Sequence, residues 1–95
     1  MHALYKESIV AVIGSGAMGS GIAQVAASAG HPVLLFDTRL DAADKAIAGV
    51  KATYAKLVEK GRMNAQDADA AGARLTRIGT LQEAAQAALV VEAIV

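Results

Sequence analysis

Five consecutive apolar residues, Ile9 to Ile13, run directly into a glycine-rich turn, Gly14-Ser15-Gly16-Ala17-Met18-Gly19, and no other stretch restricts the fold so tightly. The five are mostly β-branched, which suits a strand covered on both faces, as parallel strands in α/β sheets are. The glycines break that strand, and from Ala17 the spacing of Met18, Ile22, Val25 and Ala29 predicts one buried face of a helix. Gly30 stands where a left-handed C-terminal cap is wanted, and Pro32 prevents the helix from continuing. Val33 to Phe36 then reads as a second buried strand, ended by Asp37.

The remaining chain repeats this alternation. Met1 to Glu7 reads as a ragged lead-in. Asp41 is expected to cap a second helix from Ala42 to Lys60, with Ala43, Ile47, Val50, Tyr54, Leu57 and Val58 on its buried stripe. Lys45, Lys51, Lys56 and Lys60 read as its solvated face, and Gly61 ends it. Asn64 is the predicted N-cap of a shorter Ala-rich helix reaching Gly72 or Ala73. Leu75 to Ile78 reads as strand 3, near a sheet edge, and Thr80 with Glu83 has the capping-box spacing for a small helix over Leu81 to Ala87. Leu89 to Val95 reads as strand 4.

Alternating strands and helices joined by short connections imply a parallel sheet with right-handed crossovers. The predicted fold is therefore α/β, a Rossmann-type parallel sheet with strand order 3-2-1-4. Strand 4 would be an edge, yet its sequence, LVVEAIV, is almost wholly apolar, the wrong composition for an edge facing water. The expectation is that residues 1–95 form the N-terminal part of a longer domain and that the uncovered strand 4 brings low stability or self-association.

Composition narrows the class. Ninety-five residues make at most one domain, and 23 of them are Ala against 23 Ile, Leu or Val, so thin Ala-faced helices should pack around a few aliphatic strands. A formal net charge of zero without a basic cluster leaves no electrostatic footprint for nucleic acid or an anionic membrane. The absence of Cys excludes disulfides and thiolate metal sites and fits a cytoplasmic setting. No apolar run approaches a membrane span, and MHALYKES lacks a secretory pattern. His31 reads as a surface loop residue and His2 lies in the lead-in; neither has a partner at motif spacing for nucleophilic or metal chemistry.

Gly14-x-Gly16-x-x-Gly19 alone is a weak signal, but here it follows a buried strand and opens a helix, and Asp37 lies 23 residues after Gly14 at the end of the next strand. That context points to a dinucleotide. Gly14 makes the tight turn, Gly16 removes a Cβ that would strike the pyrophosphate, and Gly19 lets the helix approach the sheet; Gly21 is expected to extend that approach. With Ser15 inside the turn, the amides of Ala17 and Met18 at the helix N-terminus would donate to phosphate oxygens. Asp37 would accept from the adenosine ribose hydroxyls and repel a 2′-phosphate, favouring NAD over NADP; its alternative is to cap the connection into helix 2. Arg39 is the complication, since an Arg near this point can hold a 2′-phosphate. Glu92 is a carboxylate within an apolar strand: either it sits near the strand's carboxyl end facing the cofactor, or it reaches water at an uncovered edge.

The run VAVIGSGAMGSGIAQVAASAGHPVLLFD, the later LVEKGRM and the closing LVVEAIV together resemble the N-terminal NAD-binding domain of the 3-hydroxyacyl-CoA dehydrogenases, over Ser8 to Val95. Among them, the sequence is similar to the bacterial phenylacetate-degradation enzymes acting on 3-hydroxyadipyl-CoA and to 3-hydroxybutyryl-CoA dehydrogenases. The resemblance implies NAD-dependent oxidation of a 3-hydroxyacyl-CoA to the 3-ketoacyl-CoA. It also implies that Gly14, Gly16 and Gly19 form the phosphate turn, Asp37 the ribose acceptor and Glu92 the acidic residue near the nicotinamide ribose, and that one or more of the helix 2 lysines approach the CoA nucleotide. By the same resemblance, the catalytic histidine, its orienting glutamate, the substrate-holding serine and asparagine and the helical dimer-forming domain lie beyond Val95, so this chain should bind cofactor without catalysis. The alternatives are a free-standing dinucleotide-binding or sensing module and, less well supported, a flavin site.

Overall fold

A computed structural model describes residues 7–94. The elements run β1 (Val10–Ile13), α1 (Ala17–Ser28), β2 (Val33–Phe36), α2 (Leu40–Glu59), α3 (Ala65–Ala73), β3 (Leu75–Arg77), a short 3-10 helix (Leu81–Gln86) and β4 (Leu89–Glu92). The sheet is wholly parallel with order β3-β2-β1-β4, as the alternation and the crossover rule require. Two predicted segments fall partly or wholly outside the described residues: the lead-in, including His2, and Val95.

Successive strand residues face opposite sides, and the two cores divide accordingly. Val10, Val12, Val33, Leu35 and Leu75 face the three α-helices, where they meet Ala23, Ala27, Ala43, Val50, Tyr54 and Ala71. Ala11 and Leu34 face the other way, against Ile78 and Ala84, so that side is closed by little more than the 3-10 segment. Four of those six helix residues are Ala, and polar bonds then tie the helices together: Arg74 Nη1 donates to the Ala27 carbonyl at the end of α1, and the buried Tyr54 hydroxyl donates to Gln24 O at 2.7 Å.

The terminators act as their residue types predict. Gly30, at φ +107°, follows α1 in a two-bond cap in which His31 N donates to Ala26 O and Gly30 N to Ala27 O. Gly61 closes α2 with the equivalent pair to Val58 and Leu57. Asn64 Oδ1 accepts from Asp67 N at 2.8 Å at the start of α3, and Thr80 with Glu83 forms the predicted capping box.

Four expectations are corrected. The buried face of α1 is Gly19, Ala23 and Ala27, whereas Met18 and Val25 are 59% and 70% exposed. Close approach to the sheet selects the smallest side chains, and the larger ones are turned sideways toward β4. Gly21 has no atom within 4 Å of where a Cβ would stand, so it takes no part in the close approach. Helix α2 begins at Leu40 with Arg39 as N-cap, because the Arg39 carbonyl accepts from Ala42 N; Asp41 lies inside the first turn instead, where its charge complements the helix dipole. Strand β4 ends at Glu92, opposite Ile13, the last residue of β1, since the chain turns away at Gly14 and the ladder loses its partner.

Candidate functional site

The register places Ile13, Phe36 and Glu92 in one row at the carboxyl end of the sheet. Just above that row the glycine turn, the β2–α2 connection and the residues after β4 enclose a crevice of about 370 Å³, lined by Gly14, Ser15, Gly16, Asp37, Arg39 and Ala93 among others. This is where an open parallel sheet offers a ligand site, at the point where successive strands leave in opposite directions.

Each glycine of the turn has a distinct surrounding. Gly14 is at φ +106°, and a Cβ there would stand 2.8 Å from Ala93 O. At Gly19 a Cβ would stand 1.9 Å from Gly14 O, so α1 rests directly on the turn. Gly16 is the opposite case: nothing lies within 4 Å of its Cβ position and its φ is an ordinary −67°. Neither packing nor backbone requires glycine there, and its Cβ side is open. Gly16 is also the N-cap of α1, without a side-chain cap, and the first intrahelical bond runs from Ser20 N to Gly16 O. The N–H groups of Ala17, Met18 and Gly19 therefore precede the helix ladder and, with the helix dipole, suit an anion. The side chains of Ala17 and Met18 line a separate apolar groove beside β4, so only their amides belong to the anion site.

Asp37 is engaged on both carboxylate oxygens. Ser15 N and Ser15 Oγ donate to Oδ2 at 3.0 and 2.6 Å, and Arg39 N donates to Oδ1 at 2.9 Å. The Ser15 hydroxyl first, then the Arg39 amide, hold the carboxyl below its ordinary value. Asp37 thus braces both the turn and the entry to α2, the second being the capping alternative its position suggested. Arg39 is exposed and, among the described residues, is the one cation lining the crevice.

Glu92 lies at the carboxyl end of β4, exposed and in register with Ile13, but Ala93 and Ile94 line the crevice in its place. Ala93 went unrecognised in the sequence. Its N–H donates to Ile13 O at 2.7 Å, its carbonyl packs on Gly14 and its Cβ faces Gly19, and the only local sign was a small residue following a strand carboxylate. His31 precedes β2, at the opposite end of the sheet, with Nδ1 3.0 Å from Ser8 O. Among the described residues no three His, Asp or Glu side chains gather as a metal site, and no helix is long and apolar enough to cross a membrane.

A family model described as 3-hydroxyacyl-CoA dehydrogenase, NAD binding domain, matches residues 9–95. The chain belongs to the 3-hydroxyacyl-CoA dehydrogenase family. The cofactor of this domain is NAD, and the cradle at Gly16, the unladdered amides and Asp37 fit it. The chain is 45% identical over 84 residues to the 3-hydroxyadipyl-CoA dehydrogenase of Escherichia coli K12, spanning 88% of this chain and 18% of that protein. It is 39% identical over 85 residues to a probable 3-hydroxybutyryl-CoA dehydrogenase of Bacillus subtilis, spanning 90% and 30%. The crystal structure of an Escherichia coli K12 3-hydroxybutyryl-CoA dehydrogenase superposes with a TM-score of 0.87 at 43% identity, over 94% of this chain and 19% of that one. An (S)-3-hydroxybutyryl-CoA dehydrogenase from Ralstonia eutropha gives 0.88 at 29% identity, over 94% and 31%. The chain therefore spans less than a third of these relatives' length.

Proposed function

We propose that this chain is the cofactor-holding part of a dehydrogenase that oxidises a 3-hydroxyacyl-CoA to the 3-ketoacyl-CoA, and that by itself it binds NAD without turnover. The observation that carries this is the open side of Gly16 between unladdered helix amides and the Asp37 carboxylate, within a chain of this family. When bound, NAD supplies the hydride acceptor. The residues here would bind and orient it: the amides after Gly16 would hold the pyrophosphate, Asp37 would accept from the adenosine ribose, and Glu92, at the same end of the sheet, would serve the nicotinamide ribose. Among the described residues no imidazole near the crevice stands ready to take the 3-hydroxyl proton, since His31 lies at the other end of the sheet; in this reading the general base belongs to a further part of the enzyme.

Two features support a larger assembly. The chain spans only 18% to 31% of the relatives named above, and Leu89 and Val90 on β4 are 42% and 45% exposed on an unpaired edge. We propose that this edge pairs with a second copy when the chain is alone, and that the enzyme works in the cytoplasm as a dimer on an acyl-CoA. Calorimetric titration tests the central claim: NADH should bind more tightly than NADPH, and 3-hydroxybutyryl-CoA with NAD should give no turnover. Equal affinities would remove the role given to Asp37, and no binding of either nucleotide would overturn the reading.

A further inference from the structure

We propose that Ser15 is a positioning residue that fixes Asp37 and makes the site selective for a free ribose diol over a 2′-phosphate. This deepens the NAD reading above and rests on it.

The geometry is specific to the second residue of the turn. Both polar groups of Ser15 converge on one atom, Asp37 Oδ2, with the hydroxyl at 2.6 Å and the amide at 3.0 Å. An O–H to carboxylate bond of that length is charge-assisted and strong. A carboxylate offers about four acceptor directions. Ser15 takes two at Oδ2 and Arg39 N takes one at Oδ1, so one acceptor direction remains, on Oδ1. The Ser15 hydroxyl has committed its only proton to Asp37, so toward a ligand it presents lone pairs alone. The turn holding it is itself fixed, because Ser20 Oγ donates to the Ser15 carbonyl at 3.0 Å.

A ribose diol entering this corner meets two acceptors, Asp37 Oδ1 and Ser15 Oγ, for its two O–H donors. A 2′-phosphate brings acceptor oxygens and negative charge to the same pair, neither of which can donate to it. Among the described residues Arg39 is the one cation lining the crevice, and Asp37 is the one other titratable side chain there. Selectivity is thus shared between the carboxylate and the hydroxyl that locks it. Removing the hydroxyl leaves Asp37 Oδ2 with the Ser15 amide alone, returns its affinity for protons toward that of an ordinary carboxyl, and deletes one of the two acceptors.

The test compares Ser15→Ala, which keeps the amide and loses the hydroxyl, with Ser15→Thr, which keeps both. In the cofactor-free chain, a carbon-13 NMR titration of the Asp37 carboxyl should move upward in Ser15→Ala and stay in place in Ser15→Thr. The ratio of NADPH to NADH dissociation constants should fall roughly tenfold in Ser15→Ala, as expected for losing one hydrogen bond to a charged group, and recover in Ser15→Thr. Thermal unfolding verifies that both variants are folded. If the unaltered chain binds NADH selectively and Ser15→Ala leaves both the titration and the ratio unchanged, the role of Ser15 is refuted while the NAD reading stands. If the unaltered chain binds neither nucleotide, both fall, whatever the titration shows.

Discussion

The same substitution, Gly to Ala, should have three different consequences within six residues of this chain. At Gly19 the new Cβ would lie 1.9 Å from Gly14 O and 2.8 Å from Gly14 C, both backbone atoms of a turn already held against Ala93. No side-chain adjustment relieves this, so α1 or the turn must move. Overpacking a tight site costs about 1–3 kcal/mol, and contact with rigid backbone puts this case at about 3. For a domain of this size that corresponds to a fall in Tm of roughly 12–24 °C. At Gly16 nothing lies within 4 Å, and the cost is that of Ala in place of Gly at an N-cap, about 0.5–1 kcal/mol, yet the Cβ fills the space given to the pyrophosphate. That variant should melt within about 8 °C of the parent and lose NADH binding. At Gly21, inside α1 with open space around it, Ala should stabilise the helix by about 0.5–1 kcal/mol. Thermal unfolding followed by circular dichroism, paired with NADH fluorescence titration, reads all three. A Gly19→Ala variant that melts with the parent would refute the close approach, and a Gly16→Ala variant that binds NADH normally would refute the cradle.

Other outcomes follow from single contacts. Asp37 has a folded-state pKa below its ordinary 3.8, so its contribution is fully present above that value and is lost as pH falls through the folded value; Asp37→Asn should flatten the acid limb of a Tm–pH curve from about pH 5 downward, and an unchanged limb would count against the Ser15 and Arg39 bonds. Asn64→Ala removes the α3 cap and should cost about 1 kcal/mol in urea unfolding, with no change in NADH affinity. Tyr54→Phe deletes the hydroxyl that bonds Gln24 O and receives Ser28 Oγ, at about 1 kcal/mol, while leaving the ring's packing intact; a loss above about 3 kcal/mol would mean the ring itself is misplaced. Val90→Lys places a charge on the exposed face of β4 and should abolish concentration-dependent association in sedimentation velocity, whereas a parent chain monomeric at every concentration would remove the edge-pairing proposal.

Much of this architecture is written in local signals. The strand, glycine turn, helix and second strand between Ile9 and Asp37, the caps at Gly30, Gly61, Asn64 and Thr80, and the sheet order all follow from residue type, period and the handedness of crossovers, because each depends on neighbours in the chain or on a rule without alternatives. Asp37 and the turn were recognisable for the same reason: the spacing that brings them together is that of one βαβ unit. The phase of α1 was not recognisable. Period locates a stripe of Met18, Ile22, Val25 and Ala29 just as readily as one of Gly19, Ala23 and Ala27, and only the distance at which α1 settles on the turn selects the second. The tertiary structure likewise ended β4 at Glu92, set Ala93 against Gly14, left Gly21 in the open and joined Ser15 to Asp37. Those contacts span 22 to 79 residues of sequence, and at such separations it is the closure of the sheet, not any local preference, that decides which atoms meet.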